Sequence, residues 1–347
     1  MKRRRRRTGP VGFFSTGSTL LNLVCSDKAE GGFLPGTIVN IVGDSAAGKS
    51  LLGLTILAEA ANNSAYNDYG LIYDDIEAAM FFDVKKLFGA KLYSRIAGPA
   101  GVVGESRSDE IEEWYYHMDD LLDKGKPFVY VLDSMDALTS ESERDKFQER
   151  KRAHRKGRRA AGSFGDGKSK VNSSHLRQIA RRLRQTKSLV VIISQTRENI
   201  GISFAPKTHS GGKALSFYAS HKIWLAVKQT LKKSVRGKGR TIGTRTKAKV
   251  SKNKATGRLG EIDFPIFYSY GLDDITSCID YLISEGYWKK SKSGSRIQTD
   301  IGFQGRHKEL VAFIEENGLY GTLVGKCETV WTEVVQACTI GRPGRYA

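Results

Sequence analysis

Two runs of the chain, Phe128–Leu132 and Leu189–Ile193, are apolar at every position. That is the pattern of strands buried on both faces of a parallel sheet. Each passes directly into polar residues, Asp133-Ser134 and Ser194-Gln195. A third apolar, β-branched run, Thr37–Val42, leads into a glycine-containing octet, and Leu51–Ala58 after it reads as a helix. Leu71–Ile76 reads as a further strand ending at Glu77, Ala78–Phe88 as a helix, and Leu92–Ala97 as a short strand. From Ser108 to Lys124, Ile111, Trp114, Tyr115, Met118, Leu121 and Leu122 recur at helical spacing, which predicts an amphipathic helix. Phe14–Leu23 reads as a short capped helix followed by a Gly-Gly turn. Strands separated by helices predict an α/β fold with a mostly parallel central sheet and right-handed crossovers. In such sheets the chemistry gathers at the carboxyl ends of the strands. Four features lie at those ends here: the octet, Glu77, Asp133 and Gln195.

The octet is Gly43-Asp44-Ser45-Ala46-Ala47-Gly48-Lys49-Ser50. A G-x-x-x-x-G-K-S series between a strand and a helix is a phosphate-binding loop. Its glycines let successive N–H groups turn toward a phosphate chain, and the helix N-terminus adds its dipole. Lys49 then reaches the β- and γ-phosphates and Ser50 holds Mg²⁺ through its hydroxyl. Asp133 fits the acidic residue that orients the Mg²⁺ hydration shell in such sites. Glu77 is placed to polarise an attacking water, and Gln195 to touch a γ-phosphate and relay its presence to the loop that follows.

Charge changes the picture more than composition does. The 347 residues hold 56 Lys and Arg against 37 Asp and Glu, a net charge of +19, which points to a polyanionic partner. The excess is uneven. Residues 1 to 12 form an Arg-rich arm expected to be flexible. Arg144–Lys187 sets sixteen cations against Asp145, Glu149 and Asp166, around a Gly/Ser-rich segment, Gly162–Ser169, that reads as a loop before helical spacing resumes from Ser173 to Gln185. Arg197–Lys213 is a second loop candidate, and Lys228–Arg258 has no acidic residue. The four cysteines form no C-x-x-C pair, which suggests reduced thiols in a cytoplasmic protein, and no stretch has the length and apolarity of a membrane span.

Taken together, Ser15–Ser18, the octet, Asp75-Ile76-Glu77, Val131–Thr139, Ser194–Arg197, Gly211–Ser220 and Lys249–Lys254 resemble the RecA recombinases of bacteria and their phage relatives over roughly residues 13 to 270. The resemblance implies a RecA-type P-loop NTPase core, followed over 271–347 by a small C-terminal α/β domain. It implies a DNA-dependent ATPase using ATP and Mg²⁺, which coats single-stranded DNA as a helical filament and pairs it with homologous duplex DNA, with loading partners a further expectation. Glu77 becomes the catalytic glutamate, acting with Lys49, and Gln195 the γ-phosphate sensor at the start of the second DNA-binding loop. The first DNA-binding loop falls near Phe164–Ser174. DNA contacts are expected from Phe164, Lys168, Lys170, Arg177, Arg197, Ile200, Phe204, Lys207 and Lys213. Lys252 and Lys254 match the pair that crosses a filament interface to a neighbour's ATP, and Phe217 matches an aromatic residue packed there. Two rival readings keep part of this: a helicase-type motor or loader on the same core, and a single-strand coat glued by nucleotide.

The chain also departs from the family. The Arg-rich arm stands where the relatives carry a docking helix, which leaves the mode of polymerisation open. Val84 stands where they carry an adenine-stacking tyrosine, with Phe81 and Phe82 as nearby substitutes. The basic segment Arg144–Arg159 is extra, and the acidic tail common in bacterial relatives is not matched.

Overall fold

The strand Thr37–Gly43 (β1) has a parallel neighbour on each side, and the computed structural model is laid out from it. The structure describes residues 12–78, 83–99, 108–157, 167–197, 208–209, 212–291 and 294–342. The other strands of its main sheet are β2 (Gly70–Asp75), β3 (Ile96–Ala97), β4 (Phe128–Asp133), β5 (Leu189–Arg197), β6 (Thr208–His209), β7 (His221–Val235), β8 (Lys238–Asn253), β9 (Gly260–Phe267) and β10 (Gly271–Leu272). Their order across the sheet is β10-β9-β8-β7-β1-β5-β4-β2-β3, with β6 paired to β5. The half from β7 to β3 is parallel, and β8, β9 and β10 are added in antiparallel fashion.

Consecutive residues of the apolar strands serve opposite layers. On one face Val39, Ile41, Val131 and Ile193 meet Leu52, Leu54 and Leu57 of α2 (Lys49–Asn62). On the other, Ile38, Tyr130, Leu132 and Ile192 meet Trp114 and Met118 of α5 (Ile111–Asp123) and Leu176 and Ile179 of α7 (Gly167–Thr186). Earlier in the chain lie α1 (Thr19–Ser26), α3 (Val84–Phe88) and α4 (Ala90–Tyr93), and α6 (Glu141–Arg155) and α8 (Gly212–Tyr218) flank α7. Among the described residues no helix is long and apolar enough to cross a membrane.

Several local expectations change. Of the helix predicted over Ala78–Phe88, the described part is α3 alone, begun by Asp83, whose side chain accepts from the Lys86 N–H at 2.9 Å. The strand predicted over Leu92–Ala97 starts only at Ile96. Leu92 is buried as part of α4, and the Arg95 guanidinium is spread over the carbonyls of Tyr66 and Tyr69 at 2.7 and 3.0 Å. Residues 167–174, expected in the first DNA-binding loop, form the opening turns of α7. The helix begins there because Asn172, whose Oδ1 accepts from Tyr115 at 2.7 Å, continues the buried stripe of Leu176, Ile179 and Leu183.

The remainder of the chain comprises α9 (Asp274–Ser284), α10 (His307–Glu316), α11 (Tyr320–Ala337) and a small antiparallel sheet of β11 (Lys289–Lys290), β12 (Ile297–Gln298) and β13 (Gln304–Gly305). Its apolar cluster, around Trp288, Leu310 and Leu323, also takes in Leu20 and Leu23 of α1. A buried carboxylate reinforces that join: Asp274 accepts from the N–H and Oγ1 of Thr19 at 2.7 and 2.6 Å and from the Tyr320 hydroxyl at 2.8 Å. Asp274→Ala strands these buried donors. We expect it to lower stability by about 2–4 kcal/mol in urea titrations followed by fluorescence. A change below about 0.5 kcal/mol would show the join to be held by packing alone.

Candidate nucleotide and DNA site

The phosphate loop is the turn between β1 and α2. Gly48 holds φ at +87°, a left-handed conformation that favours glycine, and a Cβ there would displace the end of the Ile266 side chain of β9. Lys49 is almost fully buried; its ammonium donates to the Asp44 carbonyl at 2.8 Å, and burial pushes its pKa down. The charges around it, first Asp133 and then Glu77, Asp136 and Asp44, favour the proton. A cation held in place by so many acidic groups is poised to exchange a carbonyl for phosphate oxygens.

The parallel order β1-β5-β4-β2 brings the carboxyl ends of four strands side by side. Asp133, at the end of β4, accepts hydrogen bonds from Ser50 and from the Tyr73 hydroxyl of β2, the latter at 2.6 Å. Burial raises its pKa, and those two bonds oppose the rise. Ser50 and Asp133 thus present oxygens together. Such a hard donor pair fits Mg²⁺, which takes one or two protein oxygens and completes its shell with water and phosphate. Glu77 Oε1 accepts from Ser134 Oγ at 2.7 Å and from Gln195 Nε2 at 2.9 Å. The Gln195 N–H in turn donates to Asp136 Oδ2 at 2.6 Å, and Thr196 donates to the Asp44 carboxylate. Glu77, Gln195 and the loop are therefore coupled through β5, the strand that leads into residues 198–207.

Sequence reasoning gave no role to Tyr73, Ser134, Asp136 or Thr196. Ser134 and Asp136 lie inside the Val131–Thr139 series, and their spacing after Asp133 was the available signal.

The lysine pair is elsewhere. Lys252 pairs with Lys222, which pairs with Asn40, three residues before Gly43, and Lys254 lies further from the loop. Lys252 is thus level with the middle of β1 and Lys254 with its amino half, roughly 10 Å or more along the strands from the phosphate loop. They do have partners: the Lys252 ammonium donates to the Ser216 and Phe217 carbonyls at 2.6 and 2.8 Å, and the Lys254 ammonium to the Phe217 carbonyl at 3.1 Å. Two cations thus close the carboxyl end of α8, where its dipole favours them. Phe217, 68% exposed, has its ring 5.7 Å from the Lys254 ammonium. Desolvation and the neighbouring Lys254 push the Lys252 pKa down to about 8.

Of the expected DNA contacts, Lys170 and Arg177 are exposed seven residues apart on one face of α7, and Lys213 is exposed on α8. Ser169 lies against Gly212, which brings the starts of these two helices together. The Lys168 ammonium is taken up by the Asp136 and Leu138 carbonyls at 3.1 and 2.6 Å. Arg197 ends β5, whereas Phe164, Ile200, Phe204 and Lys207 lie outside the described residues. So do Phe81 and Phe82. Val84 is buried in the core and offers no stacking surface.

Residues 1–273 match the RecA N-terminal domain family. The chain is similar to protein RecA of Arthrobacter sp. (strain FB24), at 30% identity over 289 residues, covering 82% of this chain and 72% of that one. To protein RecA of Corynebacterium efficiens it is 29% identical over 304 residues, 86% and 70% of the two chains. To that of Corynebacterium pseudotuberculosis it is 28% identical over 331 residues, 91% and 80%.

Proposed function

Because the chain belongs to the RecA family, we propose that it is a DNA-dependent ATPase that assembles on single-stranded DNA as a helical filament and pairs that strand with homologous duplex DNA in recombination and repair. The observation that carries this reading is the row of Lys49, Ser50, Asp133, Glu77 and Gln195 along one sheet edge, joined by hydrogen bonds to the strand entering the DNA loop. Lys49 binds the β- and γ-phosphates, Ser50 and Asp133 hold Mg²⁺, and Glu77 accepts the proton of the attacking water. Bound Mg²⁺ supplies charge neutralisation at the phosphates. Gln195 shares Glu77 before nucleotide arrives and turns to the γ-phosphate afterwards, moving β5 and the loop beyond it. Lys252 and Lys254 act on the ATP of the adjacent protomer. We assign residues 13–270 to the ATPase core, 271–347 to the small C-terminal domain and 1–12 to an accessory basic arm.

Strand exchange measured with ATP and with a non-hydrolysable analogue tests this reading. A recombinase forms homologous joints with the analogue and needs hydrolysis only for release. A motor forms none without hydrolysis, and a coat forms none in either case. Single-strand affinity should also fall steeply with salt, with a log–log slope of about −0.7 per phosphate contacted, and should be nearly blind to base sequence. Salt-independent binding would contradict the reading.

A further inference from the structure

The end of β5 is gripped from both faces of the sheet. Its ladder with β1 stops where Gly43 stands opposite Gln195, and the next rung is made by side chains: the Thr196 hydroxyl donates to the Asp44 carboxylate. Strand alternation sends Gln195 to one face and Thr196 to the other. On the first face Gln195 Nε2 donates to Glu77 at 2.9 Å. On the second, Ser194 Oγ, two residues before Thr196, donates to Asn40 Oδ1 of β1 at 3.1 Å. The Gln195 N–H adds its bond to Asp136 at 2.6 Å. Two consecutive residues thus hold the carboxylates of Glu77, Asp136 and Asp44, and the last belongs to the phosphate loop itself.

Asp44 joins two parts of the site through different atoms. Its carbonyl accepts from the Lys49 ammonium at 2.8 Å, while its carboxylate takes Thr196. Thr196 also stands at the base of the hairpin that β5 makes with β6: it is the register partner of His209, as Arg197 is of Thr208. Phosphate oxygens in the loop draw the Lys49 ammonium off the Asp44 carbonyl. Asp44 then loses that contact and is left as a carboxylate beside a phosphate chain, so its bond to Thr196 belongs to the empty loop. A contact made in only one of two arrangements stabilises that arrangement and resists the other.

We infer that Thr196 is a positioning residue: through Asp44 it latches the end of β5, with Arg197 and β6, in its nucleotide-free place, and nucleotide releases it. The inference rests on the ATP- and DNA-binding reading above. It adds a second link between the two sites, one that bypasses Glu77 and Gln195 and starts from the second residue of the phosphate loop.

The test compares the full-length parent with T196V, which keeps the branched shape and loses the hydroxyl, and with T196S, which keeps the hydroxyl. Affinity for labelled single-stranded DNA is measured by anisotropy without nucleotide and with a saturating non-hydrolysable ATP analogue. Affinity for a fluorescent ATP analogue is measured without DNA. In T196V the nucleotide-free DNA affinity should rise about three- to tenfold while the affinity with analogue stays within about twofold, so the coupling between the sites shrinks. Without DNA, nucleotide should also bind T196V more tightly by a similar factor, because the latch resists both ligands. T196S should match the parent in all three titrations. A packing defect would lower affinities; it would not raise two of them and spare the third. Unchanged affinities in T196V, losses in all three titrations, or a T196S protein that copies T196V each overturns the inference. A parent that binds no single-stranded DNA, or performs no strand exchange, overturns the recombinase reading instead. Tighter nucleotide binding by T196V then still supports the latch, and unchanged nucleotide binding removes it.

Discussion

Replacing Lys252 and Lys254 together with alanine should leave ATP binding within about twofold of the parent while reducing DNA-stimulated turnover at least a hundredfold, the scale of removing fixed charge from a transition state. Within one protomer the two lysines stand roughly 10 Å or more along the strands from the phosphate loop and touch the carboxyl end of α8 beside exposed Phe217. In the proposed filament a neighbour stacked head-to-tail would bring this patch to the next protomer's ATP. Mixing with a Glu77→Gln variant separates the two sides of that interface. Random co-assembly of equal amounts restores about one interface in four to a full set of groups, so partial activity should return. Mixtures that co-assemble yet stay inactive at every ratio would falsify the trans role. In the free protomer the Lys252 ammonium, its pKa pushed down to about 8, is half deprotonated near that pH. A neighbour's phosphate favours the charged form, so assembly takes up a proton and should weaken as pH rises through that range, more for the parent than for Lys252→Ala.

Glu77→Gln is expected to retain ATP binding and to lose turnover by about 10²–10⁴-fold, the range for a general base. The glutamine keeps an oxygen for Ser134 and the shape of the contact with Gln195, so protein stability should change little. Lys49→Ala differs in kind: it removes the buried cation that offsets Asp133, Glu77 and Asp136, and both binding and turnover should fall. Measuring nucleotide affinity by titration and hydrolysis by phosphate release distinguishes the two. Hydrolysis by the glutamine variant at the parent rate would remove Glu77 from the mechanism.

The strands were legible because Phe128–Leu132 and Leu189–Ile193 must be buried on both faces, and few structures other than a covered parallel sheet allow that. The order of strands placed Glu77, Asp133 and Gln195 together once the sheet was granted. What the sequence hid has a common cause, namely partners that leave no side-chain pattern. The start of α7 was obscured by Asn172, a polar residue on a buried stripe, satisfied by a tyrosine from α5. The contacts of the lysine pair were hidden because its acceptors are main-chain carbonyls. The β7–β8 ribbon carries charge where strands usually alternate, so its period was masked although its turn contains a glycine.

The join between α1 and the C-terminal cluster bears on the order in which the chain is made and folded. Thr19 and Asp274 are 255 positions apart. At translation rates of about 5–20 residues per second, α1 leaves the ribosome roughly 13–50 s before its carboxylate partner exists. For that interval the Leu20 and Leu23 side of α1, buried in the finished protein, lacks the C-terminal residues that supply most of its cover. The opposite side, with Leu21 and Val24, already belongs to the layer under β1 and α2. A nascent chain stalled before residue 274 should therefore hold a nearly complete nucleotide site while still displaying a greasy strip to chaperones, and release from them would coincide with synthesis of the last helices.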